Sequence, residues 1–474
     1  MGRLIIASNR TATPGAPRAG GLAVALWDAL TESGGGVWFG WSGETTVREP
    51  RGIRLFAEEN VDFALTDLTA EEYENYYLGY ANRTLWPVFH YRVDLAEFEE
   101  ETFHAYQQVN SRFGRLLAQT ARPDDTIWVH DYQFLLLARE LRYNDVRGPI
   151  GFFLHIPFPA PEVFTALPHH AQLAHGMAEY DLIGFQTTRD TDNFARYMAE
   201  FHDAELLGNG WMRVFGRTIR AAAFPIGIDP EEIESFLETE EARSGAERLG
   251  RVMDNRALVI GADRIDYSKG LPQRLQAFGR LLDEYAELRG NVALLQIAPP
   301  SREDVDAYQD LREQLDRIAG RINSDYADLD WTPIRYIARN YPREVLAGLY
   351  RLARVALVTP LHDGMNLVAK EFVAAQDPED PGVLILSEFA GAAEAMPEAL
   401  LVNPHDVEGL AETISRALSM PLEERKQRWS ALARGVTGKD VTWWRRSFLT
   451  ALEEASAVKH RTVTTSGSSG EAPE

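Results

Sequence analysis

The 474-residue chain contains no cysteine. That excludes disulfides, a thiolate nucleophile and a cysteine-ligated metal. No apolar run approaches the roughly 20 residues that a bilayer span needs. The chain opens directly on a strand pattern, Arg3-Leu-Ile-Ile-Ala-Ser8, with no leader-like segment before it. Positive charge is scarce: 48 Lys and Arg stand against 71 Asp and Glu, a formal charge of −23. Such a balance argues against nucleic acid and anionic membranes as partners. The phosphate-loop pattern G-x-x-x-x-G-K-[ST] and the dinucleotide pattern G-x-G-x-x-G are both missing. No His/Asp cluster has metal-ligand spacing. The pair Asp124-Asp125 lacks the spacer of a D-x-D and reads as solvated loop. The expectation is a cytoplasmic protein with no metal, no cofactor, no nucleic-acid partner and no membrane partner.

What is present is ordinary globular material, 45% hydrophobic and 25% charged. The length accommodates two or three domains and a large core. Short β-branched runs alternate with amphipathic runs. Candidate strands include 4–8, 37–41, 126–130, 150–156, 182–186, 258–262, 293–298, 334–337, 356–359 and 383–387. Candidate helices between them include 22–30, 95–118, 132–141, 190–201, 271–288, 301–319, 343–352 and 407–417. This rhythm predicts an α/β protein with parallel sheets covered on both faces. Phe224-Pro-Ile-Gly-Ile-Asp-Pro230 reads as a linker, which divides the chain into domains 1–229 and 230–440. Residues 458–474 are polar and of low complexity, and are expected to be disordered.

Ligands of open α/β sheets bind at the carboxyl ends of strands. The stretch Thr359-Pro-Leu-His-Asp-Gly-Met-Asn-Leu-Val-Ala-Lys-Glu371 follows a strand, turns through Asp363-Gly364 and enters a helix. Its free amides and helix dipole suit a phosphate, and Glu371 could reach a sugar hydroxyl. Ordinary βα connections have the same pattern. Arg10 follows the first strand, and Gly20-Gly21 opens the next helix. Asp131 and His155 follow successive strands. Arg264 and Lys269 share one βα loop, and Arg302 follows the next strand. Four cations at strand ends in so acidic a chain suggest a built anion site. Tyr76-Tyr77 and Leu85-Trp86 lie in what reads as a loop-rich insertion, where aromatics serve equally as sugar platforms or as core.

Several of these segments carry a resemblance. Ser8-Asn-Arg10, Gly20-Gly-Leu-Ala-Val24, Trp38-Phe-Gly-Trp-Ser-Gly43, Leu85-Trp-Pro-Val-Phe-His90, His130-Asp-Tyr132, Phe152-Phe-Leu-His-Ile-Pro-Phe-Pro159, Asp263-Arg-Ile-Asp-Tyr-Ser-Lys-Gly270 and Asp363-Gly-Met-Asn-Leu367 occur in order. Together they resemble the bacterial trehalose-6-phosphate synthase family, over about residues 2 to 450. The resemblance implies a GT-B glycosyltransferase fold, with two Rossmann-like parallel-sheet domains facing across a cleft. It also implies a C-terminal helix, 441–457, crossing back to the first domain.

The implied reaction is a retaining transfer of glucose from UDP-glucose to glucose 6-phosphate, giving α,α-trehalose 6-phosphate and UDP without a metal. The implied donor site is Gly20, Gly21, Arg264, Lys269, Tyr341, Asp363, Gly364, Met365, Asn366, Leu367, Val368, Ala369, Lys370 and Glu371. The implied acceptor site is Arg10, Tyr77, Trp86, Asp131 and Arg302. The implied catalytic group is Asp131, His155, Arg264 and Lys269. Departures are small: Ile265 stands where Leu is more usual, and His362 where a basic residue often sits. No D-x-D-x-[TV] phosphatase motif follows, so a separate trehalose-6-phosphate phosphatase would act downstream. A homo-oligomer, dimer or tetramer, is expected by resemblance. A glucosylglycerol-phosphate synthase, a cyclitol-joining relative and a non-catalytic sugar-phosphate sensor share the fold and stay open as alternatives.

Overall fold

The computed structural model describes residues 2–15, 21–48, 50, 52–302 and 305–466. It separates the chain into two compact units, one comprising Met1–Phe224 with the residues from Trp444 onward, the other Pro225–Trp443.

The first unit is built on a ten-stranded sheet. Its seven central strands run in the order Val61–Thr69, Gly36–Thr46, Leu4–Arg10, Thr126–His130, Ile150–Phe153, Leu182–Phe185 and Arg217–Ala223, all parallel. The inner four, from Leu4–Arg10 to Leu182–Phe185, are largely apolar and buried on both faces, as parallel strands require. The edges depart from the expected purely parallel sheet. Arg54–Glu58 pairs antiparallel with Val61–Thr69 at one side, and Glu205–Gly208 and Trp211–Val214 form an antiparallel meander at the other. Both outermost strands are exposed and need no crossover helix. Tight turns connect them, Asn209-Gly210 at φ of 51° and 79°. Two consecutive positive φ values are what a short hairpin between twisted strands demands.

The terminal helix, Val441–Ser466, packs Phe448 on the first unit's sheet. Trp128 stacks on Phe448 with ring centroids 4.6 Å apart. Gly151 and Gly184 make room for it: a Cβ at either would lie 2.8 or 2.7 Å from the Phe448 ring. The helix runs to Ser466, so the tail expected from residue 458 begins helical; residues 467–474 lie outside the described residues.

The second unit is a six-stranded, fully parallel sheet. Its order is Ile334–Ile337, Val292–Ile297, Ala257–Ala262, Val355–Val358, Val383–Ser387 and Leu400–Val402. The polar stretch after the linker is two helices, Pro230–Leu237 and Glu240–Met253, each capped by the preceding Asp229 or Thr239.

In both units the strand order reverses beside the first strand. In the first, Leu4–Arg10 is followed outward by Gly36–Thr46 on one side and by Thr126–His130 on the other. In the second, Ala257–Ala262 has Val292–Ile297 on one side and Val355–Val358 on the other. These switch points leave an opening between diverging connections, where open α/β sheets bind ligands. No described helix is long and apolar enough to cross a membrane.

Candidate active site

In the second unit, two βα connections meet at the switch point. The loop after Ala257–Ala262 carries Asp263, Arg264, Asp266 and Lys269; the loop after Val355–Val358 carries Thr359 to Asn366. They are stitched together by Leu361 N–H donating to the Ser268 carbonyl at 2.7 Å. Gly270, at φ 65°, lets them close: a Cβ there would fall 2.3 Å from the Thr359 carbonyl oxygen. The Lys269 ammonium lies 2.5 Å from Asp363 Oδ2. Asn366 Nδ2 donates to the same oxygen at 3.1 Å. Burial works to lower the Lys269 pKa, but Asp363, Asp263 and Asp266 outweigh it and raise it, so the side chain is a fixed cation. Arg264 is exposed, and its charge bears on Lys269.

Behind this loop stands Arg274, on helix Leu271–Glu284 and fully buried. It donates to Asp263 Oδ2 at 2.8 Å, to Thr359 Oγ1 at 3.1 Å and to Gln296 Oε1 at 3.1 Å. One guanidinium thereby clamps both loops and a neighbouring strand. Sequence reading passed over Arg274, because a buried arginine occupies an interior position that pattern assigns to apolar residues.

The helix Leu367–Ala375 begins at Asn366, whose φ of 79° breaks the strand–helix path, and no side chain caps its amides. Its first-turn N–H groups are the orphan donors that favour an anion. Gly364, Met365 and Ala369 are buried around this turn, with Val368 partly so. Glu371 lies a turn further on; burial raises its pKa, Arg343 counteracts and Glu232 reinforces. The side chain of Lys370 is engaged elsewhere. Its buried ammonium donates to the Ile226 carbonyl at 2.5 Å, so the side chain braces the segment after Pro225. Burial, with Lys439 nearby, brings its pKa down to about 8. Tyr341 is held by Arg339, whose Nη2 donates to its hydroxyl at 2.7 Å. Arg302, at φ 48°, is engaged by Tyr308 at 2.6 Å and Asp266 at 3.5 Å.

The first unit's switch point has a different character. Arg10 is exposed at the end of its strand, with its guanidinium 5.9 Å from the Trp41 ring. Trp41 also packs on Tyr77, ring centroids 5.5 Å apart, so both expected acceptor residues share one indole. Tyr77 belongs to a helical run rather than a loop. Residues Ala70–Glu72, Tyr73–Leu85 and Trp86–Phe89 are continuous, the middle part wound as a π-helix. Such wide turns are uncommon and cluster at functional sites. Trp86, 6% exposed, packs 4.2 Å from His90 and 5.6 Å from Tyr132. Its side chain is thus held in one orientation by its neighbours. Asp125 also corrects the loop expectation: it is buried and pairs with Arg3 at 2.8 Å.

Asp131 takes φ 77° and ψ 168° immediately after its strand. A non-glycine residue there costs on the order of 1–3 kcal/mol, and such strain gathers at functional sites. Its Oδ1 accepts from the His155 amide at 3.2 Å. His155 in turn lies 3.0 Å from His130, Nε2 to Nδ1. Burial pushes His155 down to about 3 and His130 well below its ordinary value, with each other's proximity adding to the latter. Both rings are neutral at physiological pH, and one proton lies between them. Gly21 opens helix Gly21–Glu32; Gly20 lies outside the described residues. Among the described residues no group of three or more His, Asp or Glu could hold a metal.

Residues 6–454 match the model of Glycosyltransferase family 20. The chain belongs to that family of glycosyltransferases. It is 47% identical over 460 residues to the trehalose-6-phosphate synthase of Sinorhizobium fredii, covering 96% of this chain and 99% of that one. A solved Burkholderia xenovorans α,α-trehalose-phosphate synthase (UDP-forming), in complex with glucose-6-phosphate, superimposes with a TM-score of 0.92 at 47% identity, covering 95% of this chain and all of that one. A structure from E. coli bound with UDP-2-fluoro glucose gives a TM-score of 0.91 at 42% identity, over 95% and 98% of the two chains. The fold is thus the GT-B arrangement of two Rossmann-like units.

Proposed function

We propose that this enzyme transfers glucose from UDP-glucose to glucose 6-phosphate, releasing α,α-trehalose 6-phosphate and UDP. The observation that carries this reading is the second unit's switch point. There a fixed ammonium, Lys269, an exposed guanidinium, Arg264, and an uncapped helix start at Leu367 gather around one turn in a chain of −23. That is a receptacle for a diphosphate. In this reading Asp363 and the amides of Gly364 to Leu367 hold the donor glucose, Glu371 the ribose and Tyr341 the nucleotide. Gly21, with Gly20, is assigned to the donor phosphates by the resemblance. Arg10, Tyr77, Trp86 and Arg302 bind the acceptor, the arginines on its phosphate. Asp131 and His155 border the two reacting sugars.

Cleavage of the bond from glucose C1 to the phosphate oxygen leaves positive charge on the sugar and negative charge on UDP. Lys269 and Arg264 stabilise the second as it develops. The acceptor hydroxyl adds to C1 on the face UDP leaves, and its proton passes to the departing phosphate oxygen, which gives retention. The neutral imidazole of His155, held by the buried His130, can hydrogen-bond a sugar hydroxyl without competing for the phosphate. The reading needs no metal. It places the enzyme in cytoplasmic trehalose biosynthesis for osmoprotection, as a homo-oligomer, with a separate phosphatase taking its product.

The test is UDP release from purified protein and UDP-glucose, with glucose 6-phosphate and glycerol 3-phosphate as parallel acceptors. Release with glucose 6-phosphate, and an α,α-linked disaccharide phosphate by NMR, is the expected result. Release with glycerol 3-phosphate alone would overturn the acceptor assignment.

A further inference from the structure

The second unit has a sizeable cavity away from its switch point. It runs along the edge strand Ile334–Ile337, with a volume of about 660 Å³. That lies within the range of small-ligand pockets, about 300–1,000 Å³. Its walls are aliphatic and mostly buried: Leu249 from helix Glu240–Met253, Leu295 and Ile297 from the next strand, Ile334, and Val345 and Leu349 from helix Arg343–Leu352. Its polar lining is lopsided. Arg248, Arg335 and Arg339 face it with one carboxylate, Asp316. Arg339 is engaged by Tyr341, whereas Arg248 and Arg335 form no ion pair among the described residues. The hydroxyl of Tyr336, which also lines the cavity, is buried and has no hydrogen-bond partner. A buried hydroxyl without a partner is costly, and a ligand oxygen would satisfy it.

We propose that this cavity is a binding site for a small amphipathic anion, an aromatic or aliphatic body bearing one acidic group. The body fills the aliphatic walls. The acid meets Arg248 and Arg335 at the rim, and an oxygen meets the Tyr336 hydroxyl. The site is separate from the residues assigned to the diphosphate, and its occupancy does not depend on the proposed transfer reaction. Of the residues assigned to the donor, the cavity shares only Tyr341.

The test uses the full chain and two fluorescent probes that differ by one group: 1-anilinonaphthalene-8-sulfonate, and its neutral congener N-phenyl-1-naphthylamine. The sulfonate should bind at one site per chain and persist in saturating UDP. The neutral probe should bind at least about tenfold more weakly, as loss of a charge-assisted contact predicts. Two variants locate the site. Val252→Trp fills the mouth from a half-exposed helix position; it should abolish saturable binding. Tyr336→Phe removes only the hydroxyl and should weaken binding about fivefold, the effect of one hydrogen bond. Both variants should keep wild-type glucosyl transfer, which shows that they fold. Equal affinity for the two probes would overturn the anion assignment. Undiminished binding in Val252→Trp, or displacement by UDP, would overturn the site.

Discussion

The two switch points occupy equivalent places in their sheets yet are chemically unlike. In the second unit, charges are paired and locked: Lys269 with Asp363, Arg274 with Asp263, and Arg302 with Asp266. In the first, the strand ends carry two neutral imidazoles, a strained aspartate, a cluster of aromatic rings and one exposed cation, Arg10. A site that must meet a diphosphate and its growing charge needs preorganised cations, because reorienting them during the reaction costs free energy. A site that must orient a sugar needs directional hydrogen bonds and flat surfaces. On the proposed function, the two halves of the doubled fold divide the labour by electrostatics, with Arg302 of the second unit serving the acceptor phosphate.

The contrast can be broken most severely at Lys269. Lys269→Ala should lower turnover about 10²-fold or more, the effect of removing an electrostatic stabiliser, as measured by steady-state UDP release. Near-wild-type turnover would remove Lys269 from the leaving-group role. Arg274→Met comes next. It strips the partner from buried Asp263, and breaking a buried pair costs about 3–5 kcal/mol; denaturant unfolding should show a loss of that size. Stability equal to wild type would show that the clamp is dispensable. Arg10→Ala should raise the apparent KM for glucose 6-phosphate about tenfold with little change in the donor KM, the loss expected for one charged hydrogen bond. A donor effect alone would contradict the division.

The smallest effect concerns pH. The His155 and His130 pKa values are depressed in the fold, so the unfolded chain binds more protons as pH falls below about 6.5, the ordinary histidine value. Their contribution to stability is therefore present above that pH and is lost as pH falls toward about 3. His130→Asn should flatten the decline of Tm across this window. An unchanged slope would show that the pair does not titrate as described.

Much of this was legible in the sequence. Leu367–Ala375 and the strands at 4–10 and 126–130 follow from apolar runs bounded by turn residues, and the cations at strand ends could be named from order alone. The antiparallel edges were less visible, since exposed strands such as Glu205–Gly208 lack an apolar run; the Asn209-Gly210 turn was the available signal. The helix around Tyr77 was hidden by its tyrosines and glycine, which read as insertion. Which carboxylate each cation meets was not legible at all. Lys269 and Asp363 lie 94 positions apart and meet only because strand order reverses between them. The Lys370 contact was equally hidden: the resemblance put this residue in the donor set, and only the fold shows its side chain reaching the Ile226 carbonyl.

The most direct test of the division is UDP binding by calorimetry to wild type, Lys269→Ala and Arg10→Ala. The account predicts wild-type affinity for Arg10→Ala and at least about tenfold weaker binding for Lys269→Ala, as for loss of a charge-assisted contact. Wild-type affinity in Lys269→Ala, or a loss confined to Arg10→Ala, would contradict it.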